Sequence, residues 1–264
     1  MRIRVGLAGI FLTLSVSMAS QLQAEPGGIY YGASATLQQA EVLYRKSVLG
    51  RFEDSTNESS EWSSSGEVED KPLQWDGMLG YRLNFADGTQ FLALQAEIAL
   101  TGDDISGRLD GAGNSPGRNV LGEAWPEDWT LETSRSMGVV AKYGVARSLF
   151  GTIDISLYGL AGVRQTTIDF FSSFHGCFEL AGCSVDDLRT ATQSYDPQVN
   201  LLVAGFGLET GISGKTSLQF ELRLVEDFEA DWIADFEGEG WEVDAPGGFT
   251  VENTDLAVKL IRYL

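Results

Sequence analysis

Leu218-Gln219-Phe220-Glu221-Leu222-Arg223-Leu224 sets four apolar side chains on one face of an extended chain and Gln219, Glu221 and Arg223 on the other. A side-chain period of two marks a β-strand with one apolar and one polar face; a helix, at 3.6 residues per turn, would mix the two sets. Just upstream, Ser213-Gly214 reads as a tight hairpin turn, and before it the chain alternates again. The pattern recurs along the chain. Ile153, Ile155, Leu157, Ala161 and Val163 oppose Asp154, Ser156, Tyr158 and Arg164. Leu92, Leu94, Ala96, Ile98 and Leu100 oppose Gln95 and Glu97, and Leu256, Val258, Leu260 and Leu264 oppose Asp255, Lys259 and Tyr263. Eight strands are predicted, at 28–40, 73–86, 89–101, 130–146, 152–169, 197–212, 215–230 and 251–264.

The connections decide how these strands are arranged. Ala86-Asp87-Gly88, the stretch 147–151 and Ser213-Gly214 are short; 41–72, 102–129, 170–196 and 231–250 are long. Short and long alternate strictly, so all short turns fall at one end and all long connections at the other. That layout predicts an antiparallel up-and-down transmembrane β-barrel of eight strands, with short periplasmic turns and long extracellular loops. Alternation by itself also fits a soluble barrel with its apolar face inside. Three features favour the membrane form: strand lengths beyond the roughly 9–11 residues a tilted crossing needs, the loop asymmetry, and aromatic residues at strand ends. The expected girdle is Tyr30, Tyr31, Trp75, Tyr81, Phe85, Trp129, Tyr143, Phe170, Trp232 and Tyr263.

Short glycine-aromatic segments carry a resemblance. Gly28-Ile29-Tyr30-Tyr31-Gly32-Ala33-Ser34-Ala35, Gly77-Met78-Leu79-Gly80-Tyr81-Arg82-Leu83, Tyr158-Gly159-Leu160-Ala161-Gly162-Val163-Arg164 and Phe206-Gly207-Leu208-Glu209-Thr210-Gly211 resemble the small eight-stranded outer-membrane barrel families: the OmpA transmembrane domain, OmpX and the opacity-type surface proteins. The resemblance implies contact with outer-membrane lipid and lipopolysaccharide, and passage through the barrel assembly machinery. Such families commonly end in an aromatic residue, whereas this chain ends Arg262-Tyr263-Leu264.

With the apolar faces outward, the lumen receives Asp76, Arg82, Glu97, Lys142, Asp154, Arg164, Glu209, Glu221, Arg223, Asp227, Asp255 and Lys259. An eight-stranded barrel is only just wide enough for side chains to fill. A salt-bridged plug is therefore the expectation, and a narrow ion path the alternative.

The N-terminus places Arg2 and Arg4 before an apolar run from Val5 to Val16. This reads as a secretory signal peptide at 1–24, cleaved after Leu22-Gln23-Ala24 (or after Ser17-Met18-Ala19), with the barrel occupying 25–264. Without those two arginines, 16 basic residues face 38 acidic ones, a net charge of −22. Such a field repels nucleic acid. Cys177 and Cys183 are expected to form a disulfide that staples the third long connection.

Seven acids and no base lie in 53–70, and nine acids and no base in 226–244. These segments are candidates for Ca²⁺ or Mg²⁺ bridging to lipopolysaccharide phosphates, or are simply solvated acidic surface. Asp235-x-Glu237-x-Glu239-Gly240 is an imperfect calcium loop, with Pro246 where the twelfth-position Glu belongs. His175, the sole histidine, lies near Ser172 and Ser173, residue types used by lipid A-modifying barrels, but sequence proximity supplies neither a positioned nucleophile nor an orienting acid. Gly211-Ile212-Ser213-Gly214-Lys215-Thr216 resembles the tail of a phosphate-binding loop but has Glu209 at the first glycine position and no helix after it. The reading is a non-enzymatic barrel that needs no cofactor and is structural or surface-interacting through acidic loops. A small-solute porin and a lipid A-directed enzyme stand as alternatives.

Overall fold

The computed structural model describes residues 27–52, 60–86, 88–100, 103–110, 126–149, 153–176, 189–238 and 241–264. Among them there are eleven strands and no helix. In chain order they are β1 (Gly28–Phe52), β2 (Ser60–Asp70), β3 (Leu73–Phe85), β4 (Gln90–Leu100), β5 (Ile105–Leu109), β6 (Glu127–Leu149), β7 (Ile153–Gly176), β8 (Arg189–Tyr195), β9 (Gln198–Ser213), β10 (Thr216–Gly238) and β11 (Trp241–Tyr263). Eight of them close a ring of antiparallel ladders, β1–β3–β4–β6–β7–β9–β10–β11 and back to β1.

The count is eleven rather than eight because three strand lines are interrupted. β1 pairs with β3 from Gly28↔Arg82 to Leu37↔Leu73, then with β2 from Ala40↔Asp70 to Gly50↔Ser60. β2 and β3 therefore lie end to end along one neighbour, broken at Lys71-Pro72. β8 and β9 likewise share β7 and break at Asp196-Pro197. Proline has no N–H to give a ladder, which fits the breaks at these two points, although Pro246 is carried within β11 opposite Ile233. Each proline still accepts through its carbonyl, Pro72 from Gln38 at 3.0 Å and Pro197 from Ile168 at 3.1 Å. β4 and β5 share β6, separated at 101–104. Three register irregularities complete the set, between Thr133 and Arg135 in β6, and between Thr216 and Ser217 and between Val225 and Phe228 in β10.

The strands also run much farther than expected at the end away from the short turns. β1 reaches Phe52, β7 reaches Gly176, and β10 and β11 meet near residues 238–241. Large parts of the predicted loops 41–72, 102–129, 170–196 and 231–250 are thus strand. Twenty-five residues rising ~3.3 Å each at a tilt of ~40° stand roughly 60 Å tall, about twice the hydrocarbon thickness.

The extra height explains why the acidic stretches misread as loops. In β1 the apolar side chains switch parity. Ile29, Tyr31 and Leu37 point outward, whereas beyond Gln38 it is Ala40, Val42 and Tyr44 that are buried, with Glu41 and Arg45 outside. β11 switches in the same way, from exposed Leu256, Val258 and Leu260 to buried Phe249 and Val251. The period of two never stops; its polarity inverts. The interior accordingly has two apolar clusters, one around Tyr30, Phe91, Tyr158 and Tyr263 at the short-turn end and one around Tyr44, Trp129, Phe170 and Phe249 in the extension.

Several predicted girdle aromatics are therefore interior. Tyr30, Trp129, Phe170 and Tyr263 are buried, while Tyr31, Trp75, Tyr81, Phe85 and Tyr143 face out. Inward rings need room, and glycines directly across the ladder give it. Tyr30 lies opposite Gly80 and Tyr158 opposite Gly207. A Cβ at either glycine would stand 2.3 Å and 2.5 Å from the tyrosine ring. The glycine-aromatic segments of the sequence are these pairs.

Candidate functional site in the barrel interior

Strand parity aims the predicted lumen residues at one another across the ring. Arg82, Lys142, Arg164, Glu209, Glu221, Arg223, Asp255 and Lys259 are all buried. Glu221 is the hub: Lys142 Nζ lies 2.6 Å from one carboxylate oxygen and Lys259 Nζ 2.8 Å from the other. Tyr158 donates to Glu221 at 2.9 Å and Arg223 Nε at 2.8 Å. Arg223 and Lys259 also bind Glu97, at 2.7 Å and 2.6 Å. One layer nearer the turns, Arg82 donates to Glu209 at 3.0 Å and lies 3.8 Å over the Phe91 ring. Tyr263 donates to Glu209 at 2.9 Å. Lys142 also donates to Gln219 at 2.9 Å, which in turn donates to Glu209 at 3.0 Å, linking the two layers. Farther from the turns, Arg164 pairs with Asp255 at 2.8 Å, and half-buried Asp76 accepts from Ser34 at 2.8 Å and Thr36 at 2.6 Å.

Two predicted lumen residues lie elsewhere. Asp227 is exposed: the bulge between Val225 and Phe228 inserts residues into the alternation and turns Glu226 and Asp227 both outward. Asp154, at the turn end of β7, is half-buried, with its backbone carbonyl accepting from Thr210 at 3.4 Å.

Cations and carboxylates alternate through this layer, so each buried charge has a counter-charge within hydrogen-bond reach. The cost of burying such charges is offset only while every partner is present. Tyr30, Gln95, Ser156, Gln219 and Tyr263 complete the hydrogen bonding. Gln95, Ser156, Gln219 and Tyr263 stand on the polar strand faces read from the sequence, and Tyr30 shares the inward parity of Ser34 and Thr36.

The extension has a different interior. Tyr44, Phe170, Trp232, Phe249 and Tyr195 pack ring against ring, with centroids 4.8 Å apart for Phe170–Trp232 and 5.1 Å for Tyr195–Trp232. One ion pair, Lys46 with Glu127, is enclosed beside them, and Tyr44 donates to Glu127 at 2.7 Å. Burial, followed by the charge of Glu127, raises the Tyr44 phenol and keeps it protonated. Both members of that ion pair came from stretches read as loop.

On the outer wall just above the apolar belt, Glu41 faces Glu252 across one ladder and Glu69 across the other. Its carboxyl is raised above the ordinary value, first by desolvation and then by Glu67, Glu252 and Glu69. Among the described residues no group of three or more acidic, histidine or cysteine side chains is arranged to hold a metal ion. Most of the calcium-like stretch is hairpin strand, since Asp235 and Glu237 belong to β10 and Pro246 to β11. His175 pairs through its backbone with Thr190. Cys177, Cys183 and the segment 1–26 lie outside the described residues. Gly214 and Lys215 form the hairpin turn between β9 and β10.

No known family profile matches the chain, and no curated protein matches it. Solved structures with a similar chain path include the attachment invasion locus protein Ail of Yersinia pestis, 12% identical, covering 84% of this chain and 98% of that one with a TM-score of 0.29. The translocator domain of the autotransporter NalP from Neisseria meningitidis is 13% identical, covering 90% and 89% with a TM-score of 0.31. A FadL homologue of Pseudomonas aeruginosa is 7% identical, covering 89% and 90% with a TM-score of 0.22. These likenesses are faint, and the chemistry of the interior rests on this chain's own geometry.

Proposed function

We propose that this chain is a non-enzymatic outer-membrane barrel whose bore is closed by its own side chains and whose acidic extension stands outside the cell. The observation that carries this reading is the exposed apolar belt around the ring. Trp75, Leu79, Tyr81 and Leu83 on β3, Leu92 and Leu94 on β4, Phe206 on β9, Leu224 on β10 and Leu260 on β11 all face out, each at least half exposed. A soluble protein has no use for so continuous an apolar surface, whereas lipid requires one. The charges that a soluble barrel would wear outside are here paired within.

Lipid and the lipid anchors of lipopolysaccharide are the partners of the belt, and the assembly machinery delivers the chain to it after signal cleavage at Ala24. The Cys177–Cys183 disulfide closes a small loop at the outer end. Divalent cations bridge the acidic outer wall above the belt to lipopolysaccharide phosphates. The deciding experiment is electrophoretic mobility of the full-length chain in isolated outer membranes, with and without boiling. A heat-dependent shift is expected; one unshifted band in the osmotic-shock fluid overturns the reading. Conductance steps in a planar bilayer would establish the porin instead. A lipid A mass shift that is lost in His175→Ala would establish the enzyme. Release of lipopolysaccharide from the purified protein by EDTA tests the bridging cations, and no release removes them.

A further inference from the structure

Among the described residues the extension is not a closed ring of ladders. The β9–β10 ladder runs from the turn to Val225↔Val203 and stops at the bulge. Above it β8 pairs only with β7, and the outer half of β10, from Phe228 to Gly238, only with β11. The two strands therefore turn main-chain edges toward each other across an unzipped seam. The first N–H past the ladder, that of Leu202, donates to a carboxylate oxygen of Glu226 at 2.9 Å rather than to a β10 carbonyl. Farther out the strands meet through rings, with Tyr195 and Trp232 stacked at 5.1 Å. A second seam without a ladder, between β2 and β5, is closed by glycines. A Cβ at Gly66 would stand 3.0 Å from the Arg108 carbonyl oxygen, and one at Gly107 would stand 2.8 Å from Val68. Ser64 Oγ also donates across that seam to the Asp110 carbonyl at 3.0 Å. The β8–β10 seam has no such glycine contact.

An unpaired strand edge is a template for one more strand. The charges beside this one decide which strand it takes. Glu226, Asp227, Glu229 and Asp231 on β10 and Asp196 just after β8 are all exposed. Arg45 pairs with Glu229, whereas Asp196, Asp227 and Asp231 meet no cation among the described residues. A second copy of this chain would set the same acids against these and be repelled. A basic strand is attracted. On the inner side of the seam, Gln193 Oε1 and Trp232 Nε1 are buried without a hydrogen-bond partner. One needs a donor and the other an acceptor, and a hydroxyl can serve as either. Successive side chains of a strand point to opposite faces, so basic residues alternating with threonine fit both sides of the seam at once.

We propose that the seam between β8 and the outer half of β10 takes up an extended basic peptide as an added strand. Its lysine or arginine side chains lie on Asp196, Asp227 and Asp231, and its small β-branched side chains lie against Tyr195 and Trp232. The inference extends the reading of the acidic extension but needs no membrane, so peptide binding and the mobility shift fail separately. The probe is a labelled Lys-Thr alternating peptide of roughly eight residues, an ordinary strand length, added to the purified full chain in detergent. Saturable binding is expected, with amide exchange slowed in 190–195 and 228–234 and unchanged in β2 and β5. A peptide of the same composition with its lysines in one block should give no such protection. Asp227→Asn combined with Asp231→Asn should weaken the alternating peptide about fivefold, the usual worth of two exposed ion pairs. If that double variant fails to fold, the two peptides on the wild-type chain decide. Equal binding and protection by the blocked peptide is adsorption by charge and overturns the proposal. Protection of the seam that grows with protein concentration before peptide is added makes a second copy the occupant and also overturns it.

Discussion

The belt and the extension are built from the same strands and are inside out relative to each other. In the belt, Leu218, Phe220 and Leu224 of β10 face out, and Glu221 and Arg223 face in. Past the bulge in the same strand, Glu229 and Asp231 face out, and Phe228, Ala230 and Trp232 turn toward the interior. The backbone changes little between the two regions, and on the proposed membrane reading the surrounding medium sets the difference. On that reading lipid accepts apolar side chains and leaves the charges to pair in the bore, while water accepts the charges and leaves the rings to pack. Bulges in β6 and β10 and the prolines after β2 and β8 fall at the boundary, whereas β1 and β11 cross it in unbroken register.

The sharpest way to break this comparison is to remove the hub of the belt interior. Glu221→Ala leaves Lys142, Arg223 and Lys259 around an empty position. It should cost about 3–5 kcal/mol in urea titrations of the detergent-solubilised protein. A cost under about 1 kcal/mol would mean the charges do not hold the ring. In the extension the corresponding loss is apolar. Phe170→Ala, at a site touching Tyr44, Trp129, Trp232 and Phe249, should cost about 3 kcal/mol. Its effect should be confined to the extension: limited proteolysis would cut there while the ring keeps its heat-dependent mobility. Loss of both together would show one cooperative unit.

A matched pair of outward substitutions isolates the medium. Phe220→Arg places a charge midway along the β10 part of the belt and should cost about 2–4 kcal/mol. Ile233→Arg, equally outward but in the extension, should stay within about 0.5 kcal/mol. Equal effects would erase the boundary between the regions. The smallest effect concerns the acidic wall. Glu41 has a folded-state pKa above its ordinary 4.5, so the folded form holds its proton better than the unfolded one. Its contribution to stability is present below pH 4.5 and is lost as pH rises through the raised value. Glu41→Gln should flatten that slope in melting midpoints taken from pH 4 to 7, and an unchanged slope would assign the pH dependence to other groups.

Much of the ring was readable because its signals are local. The turns at 86–88 and 213–214 fix the near ends of β3, β4, β9 and β10 to within about two residues of their observed limits. The far ends were not readable, because Val42 and Tyr44 continue the alternation on the opposite face, among acids that look like loop. The candidate site divides in the same way. Inward parity located Glu97, Glu221 and Lys259, but the bulge in β10 misplaced Asp227. The pairings themselves span the barrel, with 91 residues between Arg164 and Asp255 and 162 between Glu97 and Lys259.

By itself, then, the sequence determined the period of two, the short turns and hence an antiparallel meander whose charged positions share one face, since each of these depends on neighbours a few residues away. The tertiary structure alone decided where that face changes from polar to apolar and which charges meet across the bore. Those choices depend on ring closure and on the medium outside, and neither is written in any local window of the chain.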